Sequence, residues 1–355
     1  MEGRQRAEGG VLMVDSDGRL PRFSRFEYIL DLLSTVHDGG AEGTELAAVQ
    51  KALSDRKESF EQVKLLAVGK RKSVNRGVEG TEELTRECLS FAVKSGLVSV
   101  DVSSHGRLTL TDLGRELLAA SKKNEVSGTF IERIASLYLS SYRRASGVLL
   151  AILGREGGQV DIPDTRHGGR LTPEQIEEIL GVRCDAVSLI SFRLLLDQAR
   201  LVNWFTFTEG DGRLMWRIYA TCKIFDVSDP QHRGEGVLSF RSQGRTVTIK
   251  MNQTSIEEFE DAAWSEYMKL TDNYEDIPVY YWQLRSPVCY GLRISDSTYD
   301  SLLLAMKDSR RFRFSWSSGS MPSSEAKGNL LKNLPPMAAD GYHMVYVSMS
   351  RRKTG

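Results

Sequence analysis

The chain has 355 residues, 41% of them hydrophobic and 26% charged, with 47 Lys and Arg against 47 Asp and Glu. That length suits two or three domains, and that composition suits packed cores in water. A formal charge of zero excludes a polybasic coat of nucleic acid and an acidic tail protein, so any nucleic-acid contact must come from a local patch.

The first 22 residues are rich in glycine and charge and read as a flexible tail. They lack the apolar core of a secretory signal. FEYILDLLSTV then sets Phe26, Ile29, Leu30, Leu33 and Val36 at helical steps, and HDGGAEG ends the helix. Thr44 is placed to cap a second helix, TELAAVQKALS. A charged segment with Phe60, Val63, Leu65 and Leu66 follows, and VGKRKSVNRGVEG reads as a loop. Thr81 opens a third helix, TEELTRECLSFAVKSG, with Leu84, Cys88, Phe91 and Ala92 on one face and Gly96 as its C-terminal cap. LVSVD and RLTLT alternate about the turn SSHG as a hairpin, and DLGRELLAASKK reads as a closing helix.

After a connecting helix, SGTFIERIASLYLSS, the same order returns. YRRASGVLLAILG and TPEQIEEILG read as helices, the second capped by Thr172 with proline at its first position. GREGGQ (154–159) is the exit of the first. CDAVSLISFRLLLDQAR follows as a third helix, and LVNWFTFTEGDGRLMWRIYATCKIF as a hairpin turning at EGDG. VSDPQHRGEG (227–236) is a linker. Beyond it come a hairpin around Gly244, the helix SIEEFEDAAWSEYMKL, strands in IPVYYWQLR and CYGLRIS, the helix DSTYDSLLLAM capped by Asp296 or Ser297, and strands in RFRFSW and YHMVYVSM. The expected fold is mainly α with α+β. Two helical units with hairpins precede a C-terminal α+β domain with a mostly antiparallel sheet. The expected boundaries are 1–22, 23–125, 126–230 and 231–355.

The order helix, helix, helix, hairpin, with SGLVSVDVSSHGRLTLTDLGRELL as its clearest stretch, resembles winged helix-turn-helix proteins over Phe23–Lys123 and, less closely, Arg143–Asp226. Winged helices bind DNA in some families and only proteins in others. The resemblance therefore implies a DNA-associated regulator or accessory subunit of a DNA-handling complex, with double-stranded DNA as partner. The alternative is a non-enzymatic protein-interaction scaffold.

In a DNA-binding winged helix the third helix enters the major groove, while basic and polar side chains hold phosphates. The candidate contacts are Lys70, Arg71, Lys72 and Arg76 in the loop before the third helix, extended by Arg86, His105 and Arg107. An ordinary solvated loop is the plainer reading. Glu79, Glu82, Glu83 and Glu87 suit the helix dipole but repel phosphate. The second unit's third helix carries Leu189, Ile190, Phe192, Leu194, Leu195 and Leu196, too apolar for a groove. That helix is expected to pack on another domain or subunit, which makes the second unit the interface for a protein partner or a second copy. In RRFRFSW, Arg310, Arg311 and Arg313 alternate with aromatics: Phe312, Phe314 and Trp316 share one strand face and Arg311 and Arg313 the other. Residues 1–150, 151–235 and 236–355 carry +1, −3 and +2, so no segment is a cationic platform.

Signs of an enzyme are few. AVGKRKS lacks the spacing of a phosphate loop, and neither GxSxG nor GxGxxG occurs. The nearest approach to a nuclease site is Asp276 with Gln283 and Arg285, which makes a nuclease-like C-terminal domain the third reading. No catalytic residue, cofactor or metal is expected. Cys88, Cys184, Cys222 and Cys289 and the five histidines are dispersed, which suits a reducing cytoplasm better than a disulfide framework or zinc site. No apolar run is long enough for a transmembrane helix. Trp264, Trp282 and Trp316 are expected in the core.

Overall fold

The computed structural model describes residues 20–40, 43–67, 79–101, 106–121, 127–164, 171–225, 236–317 and 345–352. It is a mixed α and α+β structure with small antiparallel sheets.

The first unit begins with helix α1 (Glu27–Asp38), whose Ile29, Leu30, Leu33 and Val36 are buried as their spacing predicts. Leu20 and Phe23 are also buried, so the end of the expected tail is part of the core. Thr44 does not cap the next helix. Its backbone exchanges two 2.9 Å hydrogen bonds with Leu108, and its hydroxyl donates to the Thr35 and Val36 carbonyls at the end of α1. Helix α2 (Leu46–Ala67) runs on through the charged segment, and α3 (Glu79–Lys94) leads into the hairpin β1 (Val98–Asp101) and β2 (Arg107–Leu110). The closing helix α4 (Asp112–Ala119) packs so near the hairpin that a Cβ on Gly114 would lie 2.1 Å from the Leu97 carbonyl oxygen. The loop expected at VGKRKSVNRGVEG lies almost wholly outside the described residues, as do the turn SSHG up to His105, the linker up to Glu235, and residues 1–19 of the tail.

Helix α5 (Gly128–Ser141) connects to the second unit, which holds α6 (Arg143–Leu153), β3 (Gln159–Pro163), α7 (Pro173–Leu180), α8 (Ala186–Gln198), β4 (Val202–Thr208) and β5 (Leu214–Ala220). Thr172 caps α7 in a capping box with Gln175, as its sequence suggests. Strand β3, which sequence reading missed, pairs with β5 to give the sheet order β3–β5–β4.

The second hairpin does not run on into CKIF. Strand β6 (Cys222–Phe225) leaves it and pairs with β8 (Arg245–Met251), which also pairs with β7 (Val237–Ser242). Gln243 and Gly244 join β7 to β8 with φ of 51° and 79°, the left-handed pair that a two-residue type I′ turn needs. Phe240, Leu238 and Ile249 sit in the same core as α1 through α8, not with the chain that follows. Serines on α5 satisfy the open edge of β7: the Ser136 hydroxyl donates to the Ser239 carbonyl, and the Arg241 N–H donates to Ser140 Oγ at 3.0 Å.

The last region departs most from expectation. Helix α9 (Ile256–Leu270) has the expected pattern and a Ser255–Glu258 capping box. The stretch read as two strands is a two-residue strand, β9 (Val279–Tyr280), followed by helix α10 (Tyr281–Leu292). Tyr281, Leu284, Arg285, Val288 and Cys289 are buried at helical steps. The short apolar runs on either side of Pro287 imitate strand alternation, and the proline suggests a break the helix does not make. Helix α11 (Asp296–Ala305) is capped by Ser295, one residue before the expected cap. Strands β10 (Phe312–Ser317) and β11 (Tyr346–Arg351) complete a sheet in the order β10–β11–β9. This region has its own core of Phe259, Tyr267, Tyr281, Leu284, Tyr299 and Val347.

One order of elements thus occurs three times: helix, short extended segment, helix, helix, two-stranded hairpin. In each case the extended segment pairs with the hairpin's second strand. Its representatives are Thr44 with β2, β3 with β5, and β9 with β11.

Candidate nucleic-acid interface

The helices before the three hairpins, α3, α8 and α11, differ in what they leave open. On α3, Glu82 and Arg86 are exposed. Glu83 and Glu87 face the N-terminal segment: Arg22 Nη1 donates to Glu83 at 3.2 Å, and the Arg22 N–H donates to Glu87 at 3.3 Å. Burial raises the Glu87 carboxyl above its ordinary range, with the Arg22 contacts opposing.

Helix α8 is enclosed by its own chain, and Val187 is its one exposed residue. Ser188 Oγ donates to the Leu20 carbonyl, and Gln198 bridges the Ser24 carbonyl and the Phe26 N–H. The burial expected of this helix is therefore supplied within the chain. Arg193, 4% exposed, stands over Trp204 with its guanidinium carbon 3.2 Å from the ring centre.

Helix α11 turns one side toward α8, and its exposed positions are Ser297, Ser301 and Ala305, with no cation among them. Between α8, α10 and α11 lies a partly buried charge cluster. Arg285, 3% exposed, stands 3.3 Å from Asp296 and 4.0 Å from Asp300. The Tyr281 hydroxyl donates to Asp300, and Asn203 of β4 donates to Asp296 at 2.9 Å and to the Ile294 carbonyl at 3.1 Å. Asp197 of α8 retains some exposed surface, but its Oδ1 is out of solvent and accepts no hydrogen bond. Burial pushes Asp300 up to about 8. Burial, and then Asp296, push Asp197 well above the carboxylate range, against the pull of Arg285 and Arg193.

The outer face of the β3–β5–β4 sheet covers this junction. Arg217 forms a two-point ion pair with Asp161 at 2.7 and 2.6 Å, and its guanidinium lies over Phe207. Tyr290 of α10 packs edge-on against Phe205 and Tyr219, while its hydroxyl and Arg293 both donate to Gln159 Oε1 at 2.8 and 3.0 Å.

The expected contacts are only partly among the described residues. Lys70, Arg71, Lys72, Arg76 and His105 lie outside the described residues. Arg86 is exposed on α3, and Arg107 is half-buried on β2. Arg311 is exposed, as its position suggests, and pairs with Glu260 and Asp261 of α9. Arg310 and Arg313 are exposed, and Phe312 and Phe314 are buried, as the alternation in RRFRFSW predicts. Trp264 stacks on Phe312 and Trp316 packs on the core, but Trp282 lies outside it and stacks on Tyr280. The nuclease-like trio does not converge. Gln283 caps α10 by accepting from the Tyr280 N–H, Arg285 is buried in the charge cluster, and Asp276 is exposed. Among the described residues no group of three or more His, Cys, Asp or Glu is placed to hold a metal, and no helix is long and apolar enough to cross a membrane. The four cysteines are free and buried.

Comparison with known proteins finds no matching family model, no matching curated protein and no matching solved structure.

Proposed function

We propose that the chain is a tandem array of three winged-helix units. In this reading it associates with double-stranded DNA through the first unit, as a regulator or an accessory subunit of a DNA-handling complex. Three occurrences of one element order with one strand order support the winged-helix reading. The observation that carries the choice of unit is the contrast among the hairpin-preceding helices. Helix α8 is enclosed and α11 exposes no cation, whereas α3 keeps Arg86 open beside the Lys70–Arg71–Lys72 loop in sequence. Backbone contacts from a loop and hairpin suit this acidic helix better than base reading does. The buried free thiols suit a reducing compartment such as the cytoplasm.

A salt titration of duplex binding by the intact chain tests this. The logarithm of affinity falls linearly with the logarithm of salt, in proportion to the phosphates neutralised. The triple change Lys70→Glu, Arg71→Glu, Lys72→Glu abolishes binding. Duplex binding that survives this change overturns the assignment.

The packing of α8 and α10–α11 favours a second reading, a scaffold in which the later units only hold other proteins. A partner or second copy would then use a surface other than α8, which this chain covers. Light scattering that finds a stable oligomer, together with no duplex shift at low salt, selects the scaffold.

A further inference from the structure

The outer face of the β9–β11–β10 sheet has a graded composition. Strand register brings Tyr280, Tyr346, Ser317, Ser348, Ser315 and Arg313 to this side. At one end the rings of Trp282, Tyr280 and Tyr346 form a continuous stack. Tyr280 lies 4.5 Å from Trp282 at 16° and 4.9 Å from Tyr346 at 27°. The neighbouring Tyr280 phenol raises that of Tyr346 above its ordinary value. All three rings are half-buried, and none belongs to the unit's core. In the middle, Ser315 and Ser348 share a 2.7 Å hydrogen bond. At the far end Arg313 is exposed, with no carboxylate of the described residues in ion-pair range. Arg352, also exposed, is steadied nearby by its 3.1 Å bond to the Phe312 carbonyl. From Ser317 to Arg313 the strand spans about 13 Å.

The equivalent face of the second unit is occupied, since Phe205, Arg217 and Tyr219 meet Tyr290 and Arg293 of the next unit. On the third unit Arg313, Ser315 and Ser317 stay exposed. Aromatic π-faces, hydroxyl groups and an uncompensated guanidinium complement a base, a sugar–phosphate backbone and a phosphate in turn. A duplex hides the faces of its bases, so the ring stack selects an unpaired strand. The strand residues of this face include no carboxylate to repel a phosphate.

We infer that the outer face of the third unit's sheet is a binding site for single-stranded nucleic acid, with unpaired bases stacked on the Trp282–Tyr280–Tyr346 rings and the backbone crossing the serines toward Arg313. The inference goes beyond the proposed function and does not depend on the Lys70–Arg71–Lys72 loop.

The test is fluorescence anisotropy of a labelled 12-nucleotide oligo(dT) with the intact chain at low salt, beside a labelled duplex. Trp282→Leu keeps apolar bulk but removes the stacking ring, and Arg313→Glu reverses the charge. Unchanged thermal melts show that both variants fold. Each is expected to weaken oligo(dT) binding roughly tenfold or more while leaving duplex binding unchanged. The triple charge reversal at Lys70, Arg71 and Lys72 is expected to do the opposite, which separates failure of this site from failure of the first-unit reading. No oligo(dT) binding by the intact chain, or binding unchanged in either variant, overturns the inference. Self-association that Trp282→Leu disrupts also overturns it, in favour of a protein contact.

Discussion

The sheets of the second and third units have the same strand order and opposite surroundings. In the second, the outer face carries Phe205, Phe207 and Tyr219 around the Arg217–Asp161 pair, and α10 of the next unit closes over it. In the third, most of those positions are serines, and the aromatic rings gather at one end without cover from the core. Backbone topology is therefore indifferent to whether a sheet face becomes an interface or a surface. Side chains on alternate strand positions decide it, because a period of two lets one face change while the core face is kept.

Four substitutions and one titration test how far this contrast reaches. The largest effect is expected at the junction that only the second sheet has. Arg285→Ala removes the buried partner of Asp296 and Asp300 and costs about 3 kcal/mol, the low end for breaking a buried pair because both carboxylates keep part of their surface in solvent. Chemical denaturation should show the third unit loosening before the rest, and an unchanged midpoint would falsify the view that this cluster joins the units. Phe205→Ala removes a ring packed on Tyr290 and is expected to cost about 2 kcal/mol, read from the same curves.

The titration comes next. Asp300 has an ordinary value of 3.8 and rises to about 8 through burial, so the folded state binds the proton more tightly than the unfolded chain. Its contribution to stability is complete below pH 4 and is lost as pH rises toward 8. Thermal melts between pH 5 and 8 should fall with pH, and Asp300→Asn should flatten the slope. A slope that persists unaltered in that variant assigns the proton elsewhere. Smallest of all, Ser315→Ala on the open sheet should change stability by no more than about 0.5 kcal/mol. A loss comparable to that of Phe205→Ala would mean that something covers the third sheet as well.

Much of this architecture was legible where the chain repeats a long period. Helices α1, α5, α7 and α9 follow from apolar spacing and caps, and the alternation in RRFRFSW placed Phe312 and Phe314 inside and Arg313 outside. The third unit was not legible as a unit. Strand β9 has two residues, and α10 hides a helical period in runs that also alternate, interrupted by Pro287. A capping signal was present in Gln283, three residues after Tyr280, but with tyrosine rather than serine or threonine in the cap position. The short strand β3 has the same weakness of length. The ring stack could not be read because Tyr280 and Tyr346 come from segments that only the sheet register brings together. The ion pairs of Arg311 are hidden for a related reason: it is exposed as the alternation predicts, but its carboxylate partners lie on α9, far away in sequence.

The seating of the N-terminal segment carries a consequence for the order of assembly. Ser24 and Phe26 are held by Gln198 across 174 and 172 positions of chain, and Leu20 by Ser188 across 168. During synthesis Leu20, Ser24 and Phe26 wait for these partners until α8 has followed. Contacts of such separation come late, because the loop they close costs entropy before they give anything back. Until then the backbone groups of this segment and the apolar flank of α8 lack these partners, and such an interval is when a nascent chain is most exposed to aggregation and to capture by chaperones.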